Sequence, residues 1–290
     1  GRQSQDLWDT VQNTLHVGQL AFNAPDVVHS FGRLGYLIPL LPLHIPKIMA
    51  YHREPTPNRI QWGYRLARRN TLVFTGCSDY ITAEIQPHAP AFTVYNGVPL
   101  ALYDFQEDVS SEAPLVFLGR VEYMKGIDVA LETALESGRR LIIAGNVPED
   151  GEREAYFQNH VKPHVDGHQI QYIGPVDDKQ KNELLGRAAA LLMPSRYPEA
   201  FGLVIAEAMA CGTPSIGLPS GAVSEVIDHG ETGFVEESVD GFVEAVQRVN
   251  QIDRRKCRRQ CERWFSDEAL VENYVQLYSA HVDGAAVQAT

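Results

Sequence analysis

No stretch of this chain is long and apolar enough to cross a membrane, since Leu34 to Tyr51 is broken by Pro39, Pro42, His44, Pro46 and Lys47. No excess of positive charge exists either. The net charge of -12 argues against nucleic acid as a partner and gives an anionic ligand no broad field to follow. No Asp-x-Asp occurs, and no cysteine framework is evident among the four cysteines. Cys77 and Cys211 sit in apolar contexts and read as small core residues. Cys257 and Cys261 are four apart on a basic helix, without the histidine or second cysteine pair that zinc requires. Reduced thiols and a cytoplasmic setting follow as expectations, with no metal. Internal repeats and low-complexity tracts are also missing.

What is present is ordinary globular usage, 44% hydrophobic and 21% charged over 290 residues, enough for two domains with separate cores. Strand and helix patterns alternate, which implies parallel sheets. A helix is expected from about Asp6 to Ala21, with strands at Asp26 to Ser30, Lys47 to Tyr51, Thr71 to Thr75 and Phe92 to Tyr95. The segment from Gly97 to Pro114, rich in proline, acids and serine, reads as a linker between two strand-helix blocks. A helix from Ser266 to Ala280 follows the second block, and residues 283 to 290 read as a frayed tail.

The most informative run is MPSRYPEAFGLVIAEAMACGTPSIGL, residues 193 to 218. An apolar strand leads through a proline-rich loop bearing Glu199 into a helix opened by Gly202 and closed by Gly212, with Glu207 further along it. The first N–H groups of such a helix, from Phe201, Gly202, Leu203 and Val204, lack intrahelical acceptors, and the helix dipole adds positive potential there. A diphosphate suits that position. Glu199 would accept from sugar hydroxyls and Glu207 from a ribose.

A second run, PLVFLGRVEYMKGIDVALE, places Arg120 and Lys125 just beyond a strand that ends at Gly119, the carboxyl edge at which open α/β sheets bind ligands. A departing diphosphate needs a metal or fixed cations, and a guanidinium fork with a lysine ammonium supplies the latter.

These runs, with LIIAGN (141 to 146), IQYIGPV (170 to 176), GAVSEVIDHGETGFV (221 to 235) and RWFSDEALVENYVQLY (263 to 278), resemble the family 4 glycosyltransferases from about Tyr95 to Tyr278. The resemblance implies the α/β GT-B fold, two Rossmann-like parallel-sheet domains facing a cleft, with a C-terminal helix that returns to the first domain. Expected boundaries are 1–105 for a partial acceptor domain, 106–263 for the donor domain, and 264–290 for the returning helix and tail. The chain opens at Gly1 in what resembles a mid-domain helix, so the family's first strand and glycine-rich loop are expected to be missing.

The implied activity is metal-independent, retaining transfer of a hexose from a nucleotide diphosphate sugar, with UDP the expected nucleotide, to an acceptor hydroxyl. Arg120, Lys125 and Glu199 are the implied catalytic residues. Gly119, Asn146, Gly174, Phe201, Gly202, Leu203, Val204 and Glu207 are the implied donor contacts, and no cofactor is called for. His29, Arg33 and His52 are candidates for the acceptor side, although Phe31 stands where many members carry a second histidine. The acceptor is open among lipid, glycan and small metabolite, peripheral membrane contact is compatible with it, and the oligomeric state is open. Two other readings stand beside this one: a non-catalytic nucleotide-sugar-binding module, and another GT-B enzyme such as a sugar-nucleotide epimerase.

Overall fold

The computed structural model describes residues 7–19, 23, 25–148 and 151–283. Within them the chain divides into two units, the described parts of Gly1–Tyr95 with Val271–Thr290, and Asn96–Leu270. Of the tail expected at 283–290, residues 284–290 lie outside the described residues, as do Asp6 and the last two residues of the first expected helix.

The first unit carries a four-stranded parallel sheet of β1 (Val28–Ser30), β2 (Lys47–Tyr51), β3 (Leu72–Gly76) and β4 (Ala91–Thr93), in that order. Ile48, Met49 and Phe74 on its two middle strands are almost fully buried. Such two-sided burial makes a strand read as a continuous apolar run. The helix Leu7–Gln19 precedes the sheet, and Leu34–Leu40, containing Pro39, forms a 3₁₀ helix. A proline inside that stretch removes a backbone donor, which is compatible with a short helix and not with a long one. Among the described residues, no helix is long and apolar enough to span a membrane.

The second unit carries six parallel strands, β5 (Leu115–Leu118), β6 (Leu141–Ala144), β7 (Ile170–Gly174), β8 (Ala190–Met193), β9 (Ser215–Gly217) and β10 (Gly233–Val235). Their spatial order is β10-β9-β8-β5-β6-β7. The chain therefore builds outward from β5 through β6 to β7, returns to the other side of β5 as β8, and continues to β9 and β10. The point at which this direction reverses lies between β5 and β8, and open α/β sheets place ligands outside the carboxyl ends of strands at such a point.

The segment that reads as a linker is packed onto the second unit. Val98 bridges Ser266, the Gln106 N–H donates to the Cys211 carbonyl at 3.0 Å, and Tyr103 is buried. Arg254 fixes the same region from within. Its guanidinium is buried and donates to the carbonyls of Gln106, Ala188 and Gly186 and to Thr213 Oγ1, at 2.6 to 3.0 Å. The last helix, Asp267–Val282, belongs to the first unit from Val271 onward. Both units are thus parallel-sheet α/β folds, as the sequence implied.

Candidate functional site

At the carboxyl edge of β5 the chain makes a tight turn. The Val121 N–H donates to the Asn146 carbonyl and the Glu122 N–H to the Arg120 carbonyl, both at 3.0 Å. A 3₁₀ turn then spans Tyr123–Lys125, and Gly126 caps the helix Ile127–Ser137 with φ at 73°. Gly126 has no spare room. A Cβ there would lie 1.9 Å from the Pro194 carbonyl oxygen, so the β5 turn and the loop after β8 touch backbone to backbone. Gly119 and Gly145 approach in the same way, since a Cβ on Gly145 would fall 1.8 Å from the Gly119 carbonyl oxygen.

The loop after β8 is clamped to this turn along its length. Arg196 and Tyr197 donate backbone N–H bonds to the Met124 carbonyl, and the Arg196 guanidinium grips Asp128 at 2.7 and 2.8 Å while covering the Tyr123 ring. Bidentate pairing of this kind fixes orientation as well as distance. Glu199 follows. Its backbone pairs with the Gly221 segment, and the Ala222 N–H donates to its carbonyl at 2.8 Å.

The outcome is that Lys125 and Glu199, 74 positions apart in the chain, meet at 2.5 Å, both largely shielded from solvent. Arg120 is more open, with 52% of its side chain exposed, and pairs with Glu122 at 3.0 Å. Glu122 is buried and also holds Arg153 at 3.0 Å. Glu122 stands within the PLVFLGRVEYMKGIDVALE run without a role that the run assigns it, and Arg153 stands in no recognisable motif.

The helix after Glu199 runs Leu203–Ala210, one residue later than its expected opening, with Gly202 as its N-cap. Leu203 and Val204 therefore supply first-turn N–H groups, while the Ile205 N–H is already bonded to the Gly202 carbonyl at 2.8 Å. The Phe201 ring is buried edge-on against Phe265, which anchors the start of the helix. Glu207 accepts from Lys181 Nζ at 2.7 Å and from the Tyr103 hydroxyl at 2.9 Å, both on Oε1. Burial and the Glu207 charge push the Tyr103 hydroxyl upward, and the Glu207 contact holds the Lys181 ammonium above its ordinary value against the opposing effect of burial. Lys181 and Tyr103 carry no sequence signal that ties them to Glu207, because the contacts span 26 and 104 positions.

Asn146 and Gly174 lie at the carboxyl ends of β6 and β7, where the Gly145 N–H donates to the Gly174 carbonyl at 2.9 Å. The implied donor residues thus gather along one edge of one sheet. In the first unit, His29 lies on β1 and His52 just after β2, with the Phe31 ring between them at 4.0 and 5.6 Å. His29 Nδ1 lies 2.7 Å from the Tyr278 hydroxyl, while its buried Nε2 has no partner among the described residues. Burial, with the His52 charge adding to it, lowers the His29 pKa to about 4. Arg33 is half-buried beyond β1 and precedes the 3₁₀ helix. Among the described residues, no cluster of three or more His, Cys, Asp or Glu has a geometry that could hold a metal.

Comparison with known proteins bears on the fold and the family. Among curated proteins, the chain is 31% identical over 182 residues to glycogen synthase of Mycobacterium tuberculosis, covering 59% of this chain and 43% of that protein. It is 27% identical over 263 residues to N-acetyl-alpha-D-glucosaminyl L-malate synthase of Bacillus anthracis, covering 81% and 66%. The chain spans less than half the length of that glycogen synthase. Among solved structures, a glycosyltransferase from Rickettsia africae superposes with a TM-score of 0.79 at 16% identity, covering 98% of this chain and 84% of the other. HepE from Anabaena, solved with UDP and glucose, gives 0.71 at 16% identity, covering 92% and 81%. These similarities identify the fold as GT-B. The sequence profile of the family described as "Glycosyl transferases group 1" matches residues 104–264, more than half of the chain and the whole of the six-stranded sheet. With the edge of that sheet carrying the candidate donor residues, the chain belongs to the group 1 glycosyl transferases.

Proposed function

We propose that this protein is a retaining, metal-independent hexosyltransferase that uses a UDP-linked sugar. The observation that carries the reading is the Lys125–Glu199 pair at the reversal point between β5 and β8, next to the start of the 203–210 helix. An ammonium, a carboxylate and first-turn N–H groups at one spot match the phosphate, sugar and leaving oxygen of a nucleotide diphosphate sugar.

In this reading Glu199 orients the donor sugar through its hydroxyls, Glu207 takes the ribose, and Arg120 with Lys125 meets the diphosphate. The backbone at Gly119, Asn146 and Gly174 shapes the rest of the donor site. The bond between the anomeric carbon and the diphosphate oxygen breaks, a bond to the acceptor oxygen forms on the same face, and the acceptor proton passes to the departing diphosphate. Charge grows on that diphosphate as the bond lengthens, so its fixed cations act most strongly in the transition state. His29, Arg33 and His52 are assigned to the acceptor side. HepE of Anabaena, solved with UDP-glucose, supports the choice of donor. Four buried free cysteines suit a reducing, cytoplasmic setting.

The test is to incubate the chain with UDP-glucose and a panel of sugar, lipid and polyol acceptors without magnesium, then read the anomeric coupling of the product by proton NMR. An α-linked product supports retention, and a β-linked product overturns it. UDP binding with neither hydrolysis nor transfer would instead mark a binding module, and sugar interconversion without an acceptor would mark an epimerase.

A further inference from the structure

Glu207 is held through one of its two oxygens. Lys181 Nζ and the Tyr103 hydroxyl both donate to Oε1, at 2.7 and 2.9 Å, and Oε2 takes part in neither contact. The Lys181 and Glu207 side chains are 17% and 16% exposed and Tyr103 is buried, so the carboxylate is shielded but still within reach of a ligand. Each donor is anchored in turn. In the helix Asp178–Gly186, Asn182 exchanges hydrogen bonds with Asp104, its Oδ1 accepting from the Asp104 N–H and its Nδ2 donating to the Asp104 carboxylate, both at 2.9 Å. Arg258 donates to the Tyr103 carbonyl at 3.1 Å and to the carbonyl of Ala210, the last residue of the helix that carries Glu207, at 2.6 Å. Three segments far apart in the chain are thus cross-linked around one carboxylate.

We infer that Lys181 and Tyr103 are positioning residues: by filling Oε1 they leave Oε2 of Glu207 as the fixed acceptor for a ribose hydroxyl, and so set a preference for ribonucleotides over deoxyribonucleotides. A carboxylate oxygen offers two lone pairs, so two donors saturate Oε1 while Oε2 keeps its capacity. A freely rotating glutamate would have to give up its rotamers when the nucleotide binds, whereas this one has given them up in folding. The Lys181 ammonium also offsets the carboxylate charge, which alone would oppose an anionic diphosphate. Lys181 meets Asp178 as well, at 3.1 Å, but Asp178 is 76% exposed and that contact is screened, so Glu207 is the stronger partner. This inference rests on the ribose role proposed above for Glu207 and deepens it.

The test is calorimetric titration with UDP, 2′-deoxy-UDP and 3′-deoxy-UDP, read as the preference for UDP over the weaker-binding deoxy analogue. All three carry the same diphosphate, so the ratio cancels any effect of a substitution on diphosphate binding. Wild type should prefer UDP at least about tenfold, as expected of a site built to accept from a hydroxyl. Tyr103→Phe removes one hydroxyl and keeps the ring, and should lower the preference to about threefold or less. Lys181→Met should do the same, and thermal unfolding checks that each variant is folded. In Glu207→Ala the preference should fall to about one, and adding either substitution should change it no further, because both residues act through Glu207. Wild-type preference in Tyr103→Phe, or in Lys181→Met, would overturn the role of that residue and leave the ribose role of Glu207 standing. A preference that persists in Glu207→Ala, or a wild type that binds all three nucleotides alike, removes the ribose role of Glu207 and this inference together.

Discussion

Gly126 and Gly138 cap the two ends of one helix with nearly the same backbone, φ at 73° and 67°, but with different surroundings. A Cβ on Gly138 meets nothing within 4 Å, while one on Gly126 lies 1.9 Å from the Pro194 carbonyl oxygen. Replacing each with alanine therefore separates backbone strain from collision. Gly138→Ala should cost about 1 kcal/mol, the penalty for an L-residue in the left-handed region. Gly126→Ala pays the same strain and must also open the contact to about 3.3 Å, an ordinary carbon–oxygen approach. That is a shift of about 1.4 Å between two backbones, and overpacking of this kind adds about 1 to 3 kcal/mol. A total near 3 kcal/mol corresponds to a fall in Tm of about 6 to 12 °C, against about 2 to 4 °C for Gly138→Ala. The movement also pulls Lys125 from Glu199. Because displacements of about 1 Å can cost on the order of 100-fold in function, UDP affinity should drop at least about tenfold in Gly126→Ala and stay near wild type in Gly138→Ala. Differential scanning calorimetry and UDP titration read the two effects. Equal Tm losses, or unchanged UDP affinity in Gly126→Ala, would refute the claim that this backbone contact sets the Lys125–Glu199 geometry.

Other consequences lie outside the donor site. Lys47 is fully buried, its ammonium donating to the Leu43 and Ile45 carbonyls, and burial lowers its pKa to about 8. The unfolded chain, with an ordinary lysine near 10.5, then holds the proton more tightly, so stability should rise between about pH 8 and pH 10.5 by at most about 3 kcal/mol. Urea unfolding at pH 7.5 and 10 should show that slope in wild type relative to Lys47→Met, and equal slopes would contradict it. Burial pushes the thiols of Cys211, Cys257 and Cys261 up to about 12, and Cys77 is buried as well. A thiol reagent should find no reactive cysteine in the native protein and all four after denaturation. Arg254→Met would strand the carbonyls of Gln106, Ala188 and Gly186, and should cost about 3 kcal/mol or more by urea unfolding. A loss under about 1 kcal/mol would mean that this buried guanidinium is not what holds the segment down.

The legible parts of the fold were those whose physics is local. The strand at Lys47 to Tyr51 matches the structure residue for residue, because burial leaves the apolar run Ile48 to Tyr51 just behind Pro46 and Lys47. The strand at Asp26 to Ser30 shortens to Val28–Ser30, which among the described residues pairs with β2 alone. Gly97 to Pro114 has the composition of a linker, yet its partners, Ser266, Glu207 and Cys211, lie more than 100 positions away. Composition carries no trace of them. The donor edge divides in the same way. Arg120, Lys125 and Glu199 stand in motifs and could be named from the sequence, whereas the contact of Arg153 to Glu122 and those of Lys181 and Tyr103 to Glu207 arise only through tertiary pairing. Arg254 opens a helix rich in arginine, and only the fold places it inside.

The most direct test of the donor site is a calorimetric titration with UDP, GDP and ADP, magnesium omitted, of wild type and of an Arg120→Ala/Lys125→Ala double variant. The account predicts selective binding of UDP by the wild type and its loss in a double variant that remains folded. Binding of no nucleoside diphosphate by a demonstrably folded wild type, or equal binding by the double variant, would contradict it.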